Sequence, residues 1–421
     1  MKVLHVIPSL SPALGGPPQV ALNLVHALRQ IGVDAEIVTT NHNGNQPLDV
    51  PLHQRVSYSP DGDEQYSVPV WFLPYDRPAL KEFIFSAALT RWLWQHVQDY
   101  DVLDNHYLFS YAPTCAAAIA RIKNVPYTVR TMGQLAPWAL AQSQTKKQLY
   151  THLIERHNLT HAAAIHCTTP EEAVDVRNFG LQTPTITLPL GVAASVPCHH
   201  PQERLRQQYG IANEVPIILF LSRVHYKKRP DLLLQSLSQL KSRSQPFHAI
   251  IAGSGDRDYL VKLKDLTVTL DIAQNVTFPG LIVGQDKDLL LQGSDLFVLP
   301  SFSENFGIAI AESVAAGLPV IITPGVQIAS DIAAYQAGLV VPGELEALTN
   351  AIAKVLSNQK LRATFAENGK RLAKEKYSWQ IIARHLVSVY TLIASRKTLL
   401  DNVRFDSSWS EITVDLKRLK I

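Results

Sequence analysis

Apolar runs of strand length alternate with amphipathic stretches of helix length from Lys2 to about residue 395. Lys2 to Ile7 predicts a buried strand, and Ser9 to Pro18 a turn-rich loop carrying Gly15 and Gly16. Gln19 to Ile31 predicts a helix, with apolar residues at Val20, Leu24, Ala27, Leu28 and Ile31, prolines near its start and Gly32 at its end. Ala35 to Thr40 reads as the next strand. Residues 41–70, rich in Asn, Gly, Asp and Pro, predict a long surface excursion, and Pro78 to Tyr100 a helix. Strands at Asp101–Asn105, Tyr127–Arg130, Ala164–Cys167 and Ile186–Leu188 then alternate with helical segments, one opened by Thr169-Pro170-Glu171-Glu172. Such alternation builds a parallel sheet covered on both faces.

The periodicity lapses between Val192 and Pro201, where a domain boundary is expected, and then restarts. Strands are predicted at Val215–Leu221, Phe247–Ala252, Val276–Phe278, Asp295–Leu299, Val320–Thr323 and Gly338–Val341, with helices at Asp231–Lys241 and Asp256–Leu270 and an almost continuous helical run over 344–395. The expected fold class is α/β, with two doubly wound halves facing across a cleft and ligands at the carboxyl ends of their strands. The expected division is 1–195, 196–378, a helix at 379–395 returning to the first domain, and a tail at 396–421 without an assignment.

Composition narrows the function. The 421 residues are 46% hydrophobic and 18% charged, which suits two ordinary cores. A net charge of +3 with no cluster of Lys, Arg and aromatic residues argues against a nucleic-acid partner. Three scattered cysteines, Cys115, Cys167 and Cys198, suggest neither a disulfide framework nor a zinc site and fit a reducing cytoplasm. The opening MKVLHVIPSL is unlike a signal peptide, and no apolar run reaches about 18 residues. Lys146, Lys147, Arg156 and several histidines in 143–158 raise two alternatives, a peripheral contact with an anionic membrane or a solvated polar face.

The richest chemistry lies in Asp295–Thr323. Glu304 sits at the expected junction of loop and helix, and Glu312 eight positions on, which is roughly 12 Å at helical rise and about the reach from a sugar to a ribose. Asn305, Phe306 and Gly307 would present backbone N–H groups at a helix start, suited to phosphate. Glu304 answering the helix dipole and Glu312 on a solvated face is the alternative. Arg223 and Lys228, after the strand ending at Leu221, suit a diphosphate, though a solvated basic loop would read the same. Gly253 and Gly255 would admit close backbone approach to a ligand, but Asp258 stands where a dinucleotide fingerprint has its third glycine. Asp61-Gly62-Asp63 reads as a surface turn rather than a metal site.

LSRVHYKKR, AGSG and PSFSENFGIAIAESVAAGLPVI resemble the signature segments of retaining glycosyltransferases of family 4, which have the GT-B fold; GQLAPWAL at 133–140 resembles a segment of bacterial polysaccharide-building members. The resemblance implies a metal-independent hexosyl transfer, without a cofactor, from a nucleotide-sugar donor to a glycan or lipid-linked acceptor. It assigns Arg223 and Lys228 to the donor diphosphate, Glu304 to the transferred sugar and Glu312 to the ribose, with amides of Asn305, Phe306 and Gly307 flanking the phosphates. Glu304, Arg223 and Lys228 form the catalytic set. Gly16, Gly253, Gly255 and Leu281 complete the donor side, the base being read around Leu281–Val283; Gly15, His106, Arg130 and Gly133 form the acceptor side. The leaving phosphate would deprotonate the acceptor, so no acid–nucleophile carboxylate pair is needed, unlike in retaining glycosidases. The chain departs from its relatives at Met132, where His or Arg is frequent, at Asp104, which replaces a frequent histidine, and at Leu190, where Asn is usual. A nucleotide-sugar epimerase and a non-catalytic nucleotide-sugar binder are the rival readings, separable by product analysis and calorimetry.

Overall fold

Strands buried along their whole length need apolar residues on both faces, and β1 (Lys2–Ser9), with only Lys2 partly exposed, seeds a sheet of this kind. Around it pair β2 (Asp34–Thr40), β3 (Arg55–Tyr58), β4 (Val68–Leu73), β5 (Val102–His106), β6 (Tyr127–Arg130), β7 (Ala164–Cys167) and β8 (Thr185–Thr187). A computed structural model describes residues 1–11, 16–44, 46–60, 62–76, 83–141, 154–193 and 196–395. Gly15, Asp61, Lys146, Lys147, the start of the helix expected from Pro78, the boundary residue 195 and the tail 396–421 lie outside the described residues. The chain forms two compact units, 1–191 together with the segment from Trp379 onward, and 192–378.

The first sheet runs β3-β4-β2-β1-β5-β6-β7-β8, parallel throughout except for β3 against β4. The second contains β9 (Ile217–Leu221), β10 (His248–Ala252), β11 (Val276–Gly280), β12 (Leu296–Leu299), β13 (Val320–Ile322) and β14 (Gly338–Val340), in the order β11-β10-β9-β12-β13-β14 and parallel throughout. Counted within that unit the order is 3-2-1-4-5-6, the doubly wound arrangement whose direction reverses between the first and fourth strands. The reversal falls between β9 and β12, and in the first unit between β1 and β5. Loops leaving those strands therefore diverge and leave a crevice at their carboxyl ends.

Several expectations are corrected. The excursion over 41–70 contains β3 and begins β4: Val68, Val70 and Phe72 are buried at every second position, and Val56 pairs with Val70. That alternation of period two lies among turn-forming residues, which hid it. The helix expected from Pro78 begins at Ala87, because Ser86 adopts an extended cap conformation and its hydroxyl accepts from the Leu89 amide. Gly16 opens the helix Gly16–Gln30 rather than lying in a loop before it, Pro17 and Pro18 occupying the first turn, where an amide is dispensable. The helix Gly284–Gly293 was not anticipated.

The helix Trp379–Ala394 packs within the first unit. At its root, a Cβ on Gly191 would fall 2.2 Å from Cδ2 of Trp379, so only glycine lets the indole lie against that backbone. Toward its end, the fully buried Tyr390 donates its hydroxyl to Asp104 Oδ2 at 2.5 Å. Tyr390→Phe removes a buried hydrogen bond to a charged acceptor and is expected to cost about 1.5–3 kcal/mol, read as a lower urea midpoint. An unchanged midpoint would show that the hydroxyl does not anchor the helix.

Candidate functional site

Apart from Gly16, which opens a helix of the first unit, the expected donor residues lie in loops that leave the carboxyl ends of strands in the second sheet, or, for Glu312, in the helix that follows such a loop. After β9, His225 caps a short turn, Tyr226–Lys228, its Nδ1 accepting from the Lys227 amide at 3.2 Å, and Arg229 enters the left-handed region before the helix Pro230–Ser242. This leaves Arg223 exposed and turns Lys228 inward. After β12 the chain is tied to that turn: the Phe302 amide and the Ser301 hydroxyl both donate to the Lys227 carbonyl, at 2.8 and 3.1 Å. After β13, the Glu304 amide donates to Gly325 O at 3.0 Å and the Gln327 amide to Glu304 O at 3.1 Å. A Cβ on Gly325 would meet the Phe302 carbonyl at 2.2 Å, so the third loop approaches this closely only as glycine.

These ties bring the Lys228 ammonium into contact with the Glu304 carboxylate, the side chains being 9% and 21% exposed. Burial, then Lys227 and Arg223, pull Lys228 below the ordinary lysine range, while the carboxylate acts in the opposite sense and favours the ammonium form. Glu304 is not at a helix start, which corrects the expected helical spacing. It pairs in extended form with Val326, and the helix Ile308–Ala316 begins after Gly307, whose φ is +82°. Asn305 to Gly307 lead into its first turn, and the Phe306 side chain faces away into the core, edge-on to Tyr377 at 5.3 Å.

Glu312 lies within that helix, where Lys287 of Gly284–Gly293 meets its Oε1 at 2.7 Å. Lys287 and Gly325 were not singled out from the sequence: a lysine beside Asp286 and Asp288 reads as surface, and a Pro-Gly pair as an ordinary turn. Gly253 and Gly255 have a local cause. A Cβ on either would strike Ser222 O at 1.9 Å or Val224 O at 2.3 Å, so these glycines let the Arg223 loop lie across them. Leu281, after β11, is 67% exposed.

In the first unit His106 and Arg130 end β5 and β6, and Gly133 lies in the loop after β6. Met132 and Gly133 have φ of +50° and +73°, a strained pair for which the buried Glu172 is the anchor: its Oε1 accepts from Gly133 N and Thr131 Oγ1 at 2.6 and 2.5 Å, and its Oε2 from Thr168 N and Oγ1, both at 2.7 Å. Gln134 spans the loops after β5 and β6, its side chain accepting from the Leu108 amide at 2.5 Å and donating to the Leu108 carbonyl at 3.3 Å. Beneath lies a fully buried cluster. Arg130 Nε donates to Asp104 Oδ2 at 2.7 Å, Thr128 Oγ1 donates to Asp104 Oδ1 at 3.0 Å, and His5 Nδ1 lies 3.0 Å from His106 Nε2. Thus the aspartate standing in for a histidine is matched by Arg130 and Tyr390.

Ligand atoms of His5, Asp104 and His106 lie within 4.8 Å of one another, as metal ligands would. Arg130 already balances the single carboxylate, and a divalent cation would add uncompensated positive charge to a buried site; the donor set fits an ion pair better than a metal. Among the described residues no helix is long and apolar enough to cross a membrane.

Two doubly wound units, the second with a cation and a carboxylate joined at its switch point, match the α/β class of the GT-B fold. A family model described as Glycosyl transferase 4-like domain matches residues 15–191 and one described as Glycosyl transferases group 1 matches 201–372. The chain belongs to these family 4-like glycosyltransferases. It is 33% identical over 189 residues to an uncharacterized glycosyltransferase of Methanocaldococcus jannaschii, an alignment covering 44% of the chain and 47%, about half, of that relative. It is 25% identical to a D-inositol 3-phosphate glycosyltransferase of Jonesia denitrificans over 93% of the chain and 95% of that protein. Among solved structures, Anabaena HepE in complex with UDP-glucose superposes with a TM-score of 0.73 at 20% identity, covering 93% of the chain and 99% of that one. Sucrose-phosphate synthase from Thermosynechococcus elongatus gives 0.73 at 18%, covering 94% and 100%.

Burial dominates the cluster's titration. It lowers His5 to about 4 and His166 to about 3, Arg130 adding to the fall and Asp104 opposing it, and it holds His106 well below its usual value. Burial alone would raise Asp104, but Arg130 and the three histidines hold it below the usual carboxylate range. Unfolded, these histidines bind protons near 6.5; folded, they do not until about 4 or below. Their contribution to stability is complete above pH 6.5 and is lost as pH falls from 6.5 toward 4, because the unfolded chain there binds more protons. The urea midpoint is expected to drop between pH 7 and 5, and less so in His5→Gln. Equal midpoints at the two pH values would contradict the buried neutral histidines.

Proposed function

We propose that the protein moves a hexosyl group from a nucleotide-sugar donor to a hydroxyl of a glycan or lipid-linked acceptor, with retention at the anomeric carbon and without a bound metal. The observation that carries this reading is the convergence of three loops at the second unit's switch point, with Lys228 against Glu304 and Arg223 in the same loop as Lys228. Likeness to a structure that holds UDP-glucose supports a nucleotide-sugar donor. Relatives named for a phosphorylated inositol support a polyhydroxylated acceptor.

Arg223 and Lys228 hold the diphosphate and stabilise the charge that grows on it as the glycosidic bond to phosphate breaks, the service a metal ion gives elsewhere. Glu304 accepts from hydroxyls of the transferred sugar and Glu312 from the ribose, and the Asn305–Gly307 amides flank the phosphates. His106, Arg130, Gly133 and Gly15 belong to the acceptor side. The acceptor oxygen forms the new bond to the anomeric carbon, and its proton passes to the departing phosphate oxygen. Catalysis is then positioning and leaving-group stabilisation.

Glu304→Gln is expected to lower transfer roughly 100-fold or more and, because it leaves the nearly buried Lys228 without its counter-charge, to lower the thermal midpoint as well, while wild-type turnover persists in excess chelator. The assay follows nucleoside diphosphate release from UDP-, GDP- and ADP-sugars with and without an acceptor pool. Full turnover by Glu304→Gln would remove its assigned role; loss of turnover in chelator would remove metal independence; an altered sugar released without acceptor would favour the epimerase.

A further inference from the structure

The pair of Lys287 and Glu312 has no evident work to do in holding the fold. Its side chains are 32% and 24% exposed, and an ion pair so open to water contributes little to stability. Lys287 lies in the first turn of Gly284–Gly293, and the loop entering that turn presents Leu281 and Val283, each 67% exposed. Two apolar side chains held in water, in the loop that leaves β11 and enters the turn of Lys287, together with the half-open ion pair that Lys287 makes to Glu312 of the helix after β12, supply an apolar part and a donor–acceptor part. A nucleoside has the same division, a flat base and a ribose bearing two adjacent hydroxyls.

We propose that Lys287 is a specificity-determining residue for the ribose of the donor nucleotide. This deepens the nucleotide-sugar reading and rests on it. An unpaired carboxylate can accept from both hydroxyls of a diol with its two oxygens. With Nζ 2.7 Å from Oε1, Glu312 has one oxygen engaged and the other open. One ribose hydroxyl donates to the open oxygen, while the ammonium, which keeps two further N–H groups, donates to the oxygen of its neighbour. The site then requires both hydroxyls in place, and removing either leaves one hydrogen-bonding position of the ion pair unfilled by the ligand. Without Lys287 the carboxylate is free to turn and take whichever hydroxyl remains.

The test uses the full chain and calorimetric titration with uridine, guanosine and adenosine diphosphates and their 2′-deoxy counterparts. Wild type is expected to bind at least one ribonucleotide about tenfold more tightly than its deoxy form. Lys287→Met is expected to weaken the ribonucleotide about tenfold and the deoxy form little, so that the two converge, and Lys287→Arg to restore most of the difference. In the transfer assay Lys287→Met raises the donor KM and leaves kcat within about twofold, the signature of lost ground-state binding. A ribo-to-deoxy ratio in Lys287→Met equal to that of wild type overturns the inference, as does a wild type that binds both forms alike. A wild type that binds none of the diphosphates overturns the nucleotide-sugar reading itself.

Discussion

Lys228 and Glu304 meet where the second sheet reverses its strand order, and the geometry of that unit's site follows from keeping a nearly buried ammonium beside a carboxylate. Neither charge is stable there alone, since the loss of water around an unpaired ion exceeds any gain from packing. The two come from strands that are neighbours in the sheet but more than 70 positions apart in the chain, so their alignment cannot depend on side-chain reach alone. Backbone bonds supply it: Lys227 O receives two donors from the loop after β12, and Glu304 is paired on both sides with the loop after β13. Gly253, Gly255 and Gly325 are where these loops cross at distances a Cβ forbids. Under the proposed function the pair is pre-organised for a ligand that offers an anion to one member and hydroxyls to the other.

The first unit solves a comparable problem differently. Asp104 is deeper than Glu304 and receives Arg130, Thr128 and Tyr390 together. Tyr390 arrives from the helix that returns after the second unit, so the buried carboxylate fixes a chain segment 286 residues away. Surrounding histidines stay neutral because burial and the arginine both oppose a further positive charge. This cluster sits under the loops of His106 and Gly133, whose positive φ values at Tyr107, Phe109 and Met132 need such support.

Much of this was legible in the residue order. Strands buried on both faces are continuous apolar runs, so β9, β10 and β12 were found to within about two residues, whereas Arg223, Lys228, Glu304 and Glu312 stood out as a set only through the resemblance of their segments to the family. What was lost had short or mixed signals. β4 alternates over only six residues next to prolines, and Gly284–Gly293 opens with polar residues after an exposed loop. Glu304 was assigned helical spacing because Ser303 to Gly307 carries no breaker before the glycine, although that glycine, at positive φ, is the actual start.

By itself the sequence determined the alternation of strand and helix, the two-unit plan and the chemistry of the candidate side chains, because these depend on local periodicity and residue type. Only the tertiary structure decided which charges meet. That Lys228 faces Glu304, that Lys287 engages Glu312, and that Asp104 is shared by Arg130 and Tyr390 are consequences of strand order and loop crossing. These contacts join residues 25 to 286 positions apart, a separation over which no local pattern carries information. The glycines mark the difference most plainly: their letters permit a ligand or a backbone to come close, and the fold chose the backbone of the neighbouring loop.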